Sequence, residues 1–216
     1  MARSPNPPPA SDTEVRALLE RYQCPVPFHA VRTRFLGNIA SPDLLASPMK
    51  AVEALWGGEL PVFDTMDQAN ELISALVTGL WQRLTRHQER SAPFRLTRAE
   101  VPPTREGVAA VTLTRREEIA GFRIGLFGAN VSLDLPERAY QALGTLSEIR
   151  VMCDGFRGLA ENRDEPMGPD DISGLLPRLR ELTRIAEHEM HEAVLSCTRA
   201  RRQALRSMPG RGAVRH

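Results

Sequence analysis

Lysine is almost absent, since Lys50 is the only one among 28 basic residues. It follows Ser-Pro-Met with no glycine loop, which excludes a phosphate-cradling P-loop. Aromatic residues make up only 5% of the chain, and alternating Val-rich runs are scarce. Both shortages argue against sheet. Cysteine is limited to Cys24, Cys153 and Cys197, isolated and odd in number. With no C-x-x-C pair, a zinc knuckle or disulfide framework is excluded and a reducing compartment is indicated. The first ten residues, Met-Ala-Arg-Ser-Pro-Asn-Pro-Pro-Pro-Ala, contain no apolar core of a signal peptide. No run approaches the roughly 18 apolar residues of a membrane span. The expectation is therefore a cytoplasmic protein with no membrane partner. G-x-G-x-x-G, G-x-S-x-G and H-E-x-x-H are also missing, so neither an enzyme nor a cofactor is expected.

What is present favours helix. Ala, Leu, Arg and Glu dominate a chain of 216 residues that is 42% apolar, enough for a substantial core. From Thr65 to His87 apolar residues recur at Leu72, Ile73, Leu76, Val77, Leu80, Trp81 and Leu84, one face of a long helix around which the chain is expected to organise. Thr65 with Gln68 and Thr114 with Glu117 each match a capping box. Ser11 or Asp12 caps a first helix, and a second runs over Phe28–Ile39. Ser47-Pro48 opens a short one stopped by Gly57-Gly58. Val108–Leu113 reads equally as a strand or as the approach to a helix. Pro136 starts a further helix whose core candidates include Leu146, Ile149, Val151 and Leu159. A last one runs from about Ile172 to Leu205, with Pro177 as a candidate first turn. The reading is an all-α multi-helix bundle with a disordered lead at 1–10, a helical core domain at 11–161, a linker at 162–171, a long C-terminal helix at 172–207 and a basic tail at 208–216.

Three stretches resemble the YecA/YgfB family of bacterial proteins. They are Pro27-Phe-His-Ala-Val-Arg-Thr-Arg-Phe-Leu-Gly37; Ala54-Leu-Trp-Gly-Gly-Glu-Leu-Pro-Val-Phe-Asp64 with Trp81 and Ala92-Pro93-Phe94 after it; and Glu117-Glu-Ile-Ala-Gly-Phe-Arg-Ile-Gly125. The resemblance is placed over residues 25–160. Ile119 stands where the family often has Trp, and the cysteine-rich zinc tail is missing. The resemblance implies a helical fold and a small cytoplasmic regulatory or accessory role, and it carries no zinc site over.

The same residues have physical readings. Gly121, Gly125 and Gly128 leave a side-chain-free groove on a helix, suited to internal packing or to a partner helix. Gly121 and Gly125 therefore stand as candidate partner contacts. Trp56, Phe63, Trp81 and Phe94 read as core anchors. The nearest approach to a metal site is Glu187-His188-Glu189-Met190-His191-Glu192, where His188, His191 and Glu192 share a helix face. The di-iron pattern would need Glu in place of His188. A solvated charged face is the preferred reading, with those three residues as the only metal candidates. Asp170-Asp171 reads as a helix cap.

Charge is unevenly placed. Residues 193–216 hold six arginines and no acid, leaving 22 basic and 27 acidic groups in the rest. Arg199, Arg201, Arg202 and Arg206 sit where cations complement a helix C-terminus, or where an arm could meet phosphate or carboxylate. They are the candidate contacts for a protein or nucleic-acid partner. The function expected is a non-enzymatic regulatory or accessory protein. A metal-binding protein or metalloenzyme built on His188 and His191, and a structural subunit of an assembly, are the alternatives. The long apolar stripe of the last helix also suggests a homodimer formed by helix pairing.

Overall fold

Capping chemistry places the first helices. In α1 (Asp12–Arg21) the Ser11 hydroxyl accepts the Glu14 N–H at 3.3 Å while the Glu14 carboxylate accepts the Ser11 N–H at 2.6 Å. Pro27 precedes α2 (Phe28–Ala40). Ser47 caps α3 (Pro48–Glu53), which tightens into a 3-10 turn at Ala54–Trp56 and stops at Gly57, whose φ of 86° suits glycine. The computed structural model describes residues 10–128, 133–162, 164 and 168–207. The expected tail at 208–216, nearly all of the lead at 1–10 and part of the linker at 162–171 lie outside the described residues.

The rod expected over 65–87 is helical but not uniformly α. It consists of α4 (Met66–Ile73), a π-helical stretch at Ser74–Trp81, α5 (Gln82–Leu84) and a 3-10 turn at Thr85–Gln88. Leu72, Leu76, Leu80 and Leu84 are all buried at a constant spacing of four. In a regular α-helix each such step advances about 40° around the axis; the wider π turns bring the four leucines back to one face. Thr65 does cap Gln68, but the Gln68 side chain returns to the Asp64 N–H at 3.0 Å, one residue before the box would place it.

The next helices resolve one open reading, at Val108–Leu113, and correct several others. Val108–Leu113 lies inside α6 (Arg105–Phe127), which is capped by Thr104 through the Gly107 N–H at 3.1 Å. Thr114 is no cap: its hydroxyl donates to the Ala110 carbonyl within the helix. In α7 (Glu137–Glu161) Leu146 and Ile149 are buried as expected, whereas Val151 and Leu159 are exposed. They lie on an outer face that also carries Gly144, Gly155 and Gly158, each with open space at its Cβ position. The last helix, α8, runs Pro169–Ser207, so Pro177 falls inside it and not at its first turn. Asp171 accepts the Gly168 N–H at 3.0 Å at its start.

The chain is all-α, with no strand among the described residues. The central element is α6, not the rod: it packs on α2, α7 and α8. Pairs along the seams fix the directions. His29 meets Glu117, and a Cβ on Gly37 would strike Leu126, so α2 and α6 are parallel. Arg105 reaches Ala160 and Arg116 reaches Asp154, so α7 runs antiparallel. Val111 clusters with Leu179, and Arg115 bonds Thr183, so α8 is parallel to α6 again. The main core joins Phe35, Leu76, Phe122, Leu146 and Met190. The last helix is therefore part of the helical domain: Ala186, Met190, Val194 and Cys197 are buried in the same core. That burial removes the uncovered stripe from which a dimer through this helix was expected. A second, smaller cluster of Val108, Val111, Ala160, Ile172 and Leu179 closes the other end of the bundle.

Candidate functional site

Proline brackets the segment between the rod and α6, with Pro93 at one end and Pro102-Pro103 at the other, and no helix forms between them. Exposure alternates within each half, with Phe94 and Leu96 buried around an exposed Arg95, and Arg98 and Glu100 exposed around a partly buried Ala99; each half has the period-two signature of an extended chain, and the phase changes at Thr97. Buried charges hold its first half. The Leu96 N–H donates to Glu187 at 3.0 Å and the Thr97 N–H to Glu118 at 2.8 Å. Arg115 donates to the Thr97 carbonyl at 2.6 Å, to the Thr183 hydroxyl at 3.0 Å and to Glu118. Arg32 donates to the Arg95 carbonyl at 3.1 Å and the Thr97 hydroxyl at 3.2 Å, and its guanidinium lies 5.2 Å from the centre of the Phe94 ring. Burial lowers the pKa of Arg32 from the usual arginine value.

The second half is different. From Arg98 to Val101 no backbone group bonds to another described residue. This half forms one wall of an open cleft of about 730 Å³. The apolar lining comes from Leu96, Val101, Val111, Leu176 and Leu179, contributed by the segment, α6 and α8. Four arginines line it too, together with Thr97, Ala99, Glu100, Thr183 and Glu187. Arg95 pairs with Glu187 at 2.6 Å, Arg98 with Glu100 at 2.9 Å and Arg115 with Glu118. Arg180 is exposed and has no ion pair among the described residues. The cleft thus combines an apolar floor, an unpaired cation and a stretch of unpaired backbone.

The residues singled out from sequence are not brought together. Gly121 and Gly125 are not free for a partner. A Cβ on Gly121 would lie 2.5 Å from Thr33 Oγ1 and 2.7 Å from the Ala30 carbonyl oxygen, and one on Gly125 would strike the backbone of Arg34. Their groove is filled by α2, so internal packing replaces the partner reading. The metal candidates separate as well. His188 is exposed, His191 is buried with 6% exposure, and Glu192 lies 3.6 Å from Arg138. Among the described residues no three His, Cys, Asp or Glu side chains are placed to hold an ion. Burial lowers the pKa of His191. Burial raises the Cys153 thiol to about 11 and Cys197 to about 12, which makes both poor nucleophiles.

Arg199, Arg202 and Arg206 are exposed at spacings of three and four on the end of α8, none with an ion pair among the described residues, while Arg201 is half-buried. The cleft arginines and Glu187 were not recognised from sequence as a site. One signal pointed there: Arg115 and Glu118 fall in phase with Val108, Val111, Ile119 and Phe122 on the buried side of α6. Comparison with protein-family models, curated proteins and solved structures gives no match for this chain. No helix among the described residues is long and apolar enough to cross a membrane.

Proposed function

We propose that this is a non-enzymatic regulatory or accessory protein that acts by binding another protein, and that the cleft beside residues 95–101 receives it. The observation that carries this reading is the open cleft itself, where Leu176 and Val101 are partly exposed between arginines while Leu96, Val111 and Leu179 are buried in its lining. An apolar concavity with a few convergent polar groups is a usual form for a binding site. The stretches resembling the YecA/YgfB family support the same role, and three unpaired thiols suit the reducing compartment in which such a protein would work. His188 is exposed while His191 is buried, and no observation on the described residues favours the metalloenzyme alternative.

Leu176 is only partly buried in the cleft wall, so Leu176→Arg should block the floor without unfolding the chain. The test is affinity capture from the native cell by the full chain and by this variant, followed by reconstitution with the purified captured protein. The reading predicts a partner whose reconstituted affinity falls at least tenfold with Leu176→Arg. Partners bound equally by both forms would remove the cleft from the function.

A second reading concerns polyanions. Arg199, Arg202 and Arg206 share one exposed face without acidic partners among the described residues, an arrangement that suits phosphate contacts along a nucleic-acid backbone.

A further inference from the structure

We infer that the partner's contribution to the cleft is an extended peptide segment, added as a strand alongside Arg98–Val101, with an acidic side chain or terminal carboxylate held by Arg180. This rests on the reading of the cleft as a protein-binding site and names the chemistry of its occupant.

Three features converge on it. The first is the division of the segment at Thr97. Residues 95–97 are fixed by charged side chains from α2, α6 and α8, with Glu118 wholly buried and Glu187 with 11% of its side chain exposed. Residues 98–101 continue the same chain with their backbone groups unpaired among the described residues. An extended backbone ordered at one end and unpaired at the other is an edge available for strand addition. The ordering is already provided by the fixed half, so less conformational entropy is lost when a second strand forms.

The second feature is charge. Three of the four arginines lining the cleft have carboxylate partners: Arg95 with Glu187, Arg98 with Glu100 and Arg115 with Glu118. Arg180 alone among them has none, which leaves the site one positive charge in excess. A single carboxylate satisfies that excess, and a guanidinium binds one bidentately. A basic segment would face this cation uncompensated.

The third is the floor. Leu176 and Val101 are the partly exposed aliphatic side chains of the lining, while Val111 and Leu179 are themselves buried. An added strand presents every second side chain to one face, so the peptide that fits alternates aliphatic residues with polar ones and carries an acid opposite Arg180.

The probe is a displayed library of random dodecapeptides selected against the full chain. The enriched peptides are then synthesised with a fluorescent label and titrated by anisotropy. Enrichment of acidic–aliphatic sequences is expected, with at least tenfold weaker binding to Arg180→Glu and near-full retention in Arg180→Lys. N-methylation of alternate peptide amides should weaken binding at least tenfold in one register and little in the other. Enrichment of basic sequences, no enrichment at all, or binding unchanged in Arg180→Glu overturns the inference. Equal tolerance of N-methylation in both registers overturns strand addition. A native partner that needs Leu176, found alongside any of these failures, leaves the protein-binding reading standing and removes only the extended acidic segment.

Discussion

Arg115 and Glu118 form an ion pair one helical turn apart on α6, with side-chain exposures of 6% and 0%. Each also holds Thr97, Arg115 through its carbonyl and Glu118 through its N–H. Removing one member leaves a buried, uncompensated charge, which costs about 3–5 kcal/mol. Glu118→Ala should therefore lower unfolding stability by about that amount in a urea titration, and protease should cut between residues 95 and 101 sooner than in the parent. A loss under roughly 1 kcal/mol would show that the pair does not anchor the segment.

Glycines on two faces should respond in opposite directions. Gly125 lies against the backbone of Arg34, so Gly125→Val forces α2 and α6 apart and should cost roughly 2–3 kcal/mol or prevent folding. Gly144, Gly155 and Gly158 have nothing within 4 Å of a Cβ position. Alanine at each should stabilise α7 by up to about 1 kcal/mol. Thermal or urea midpoints decide between these outcomes; a falling midpoint for the α7 alanines would contradict the open face.

Histidine titration gives the pH dependence. Burial lowers the pKa of both His87 and His191 below the ordinary imidazole value of about 6.5. For His87 the Ala92 carbonyl opposes that shift, while Arg86 and Arg32 reinforce it. Around His191, Glu192 and a backbone hydrogen bond to Arg90 oppose it, while the charges of His188 and Arg90 reinforce it. The unfolded chain therefore takes up protons at a pH where the folded chain still resists them. The stability that depends on neutral rings is fully present above about pH 6.5 and is lost as pH falls below it. Urea midpoints at pH 7.5, 6 and 5 should decline, and His191→Gln should flatten part of the decline. A parent midpoint that is level across this range would rule out the assignment.

The arginine face of α8 predicts a salt law. With Arg199, Arg202 and Arg206 on a phosphate backbone, the log affinity for duplex DNA should fall with log salt at a slope of roughly −3. Changing all three to Gln should flatten the slope and leave the melting temperature nearly unchanged, since all three are exposed. If the full chain binds no DNA at low salt, this face is a solubilising helix end.

Local chemistry made the helix starts legible. Ser11, Ser47 and Thr65 cap because a hydroxyl reaches an N–H only three residues away. The same short pattern misled at Thr114 and Glu117, which match it from inside a helix that Thr104 had already begun. Periodicity found the helices but not always the face. Val151 and Leu159 are apolar at helical spacing yet point outward, because the neighbours that would cover them are not set by α7 itself. The glycine pattern announced a close helix contact without naming its partner, which proved to be α2. The cleft was least legible, since Arg98, Arg115 and Arg180 are brought together only by the packing of the segment, α6 and α8.

The parallel pairing of α2 with α6 also bears on how the chain folds. His29 and Glu117 touch across 88 positions of sequence, and two parallel neighbours cannot be joined by a tight turn. During synthesis Val31, Phe35 and Leu36 emerge long before Phe122 and Leu126, their companions in the core. Closing so long a loop comes late and is entropically costly. Until it closes, the early helices present an apolar surface to the cell. A fragment ending at residue 104 keeps α2 and loses the element that covers its glycine face. The N-terminal half is thus not an independent folding unit, and the nascent chain commits to its structure only after α6 has been made.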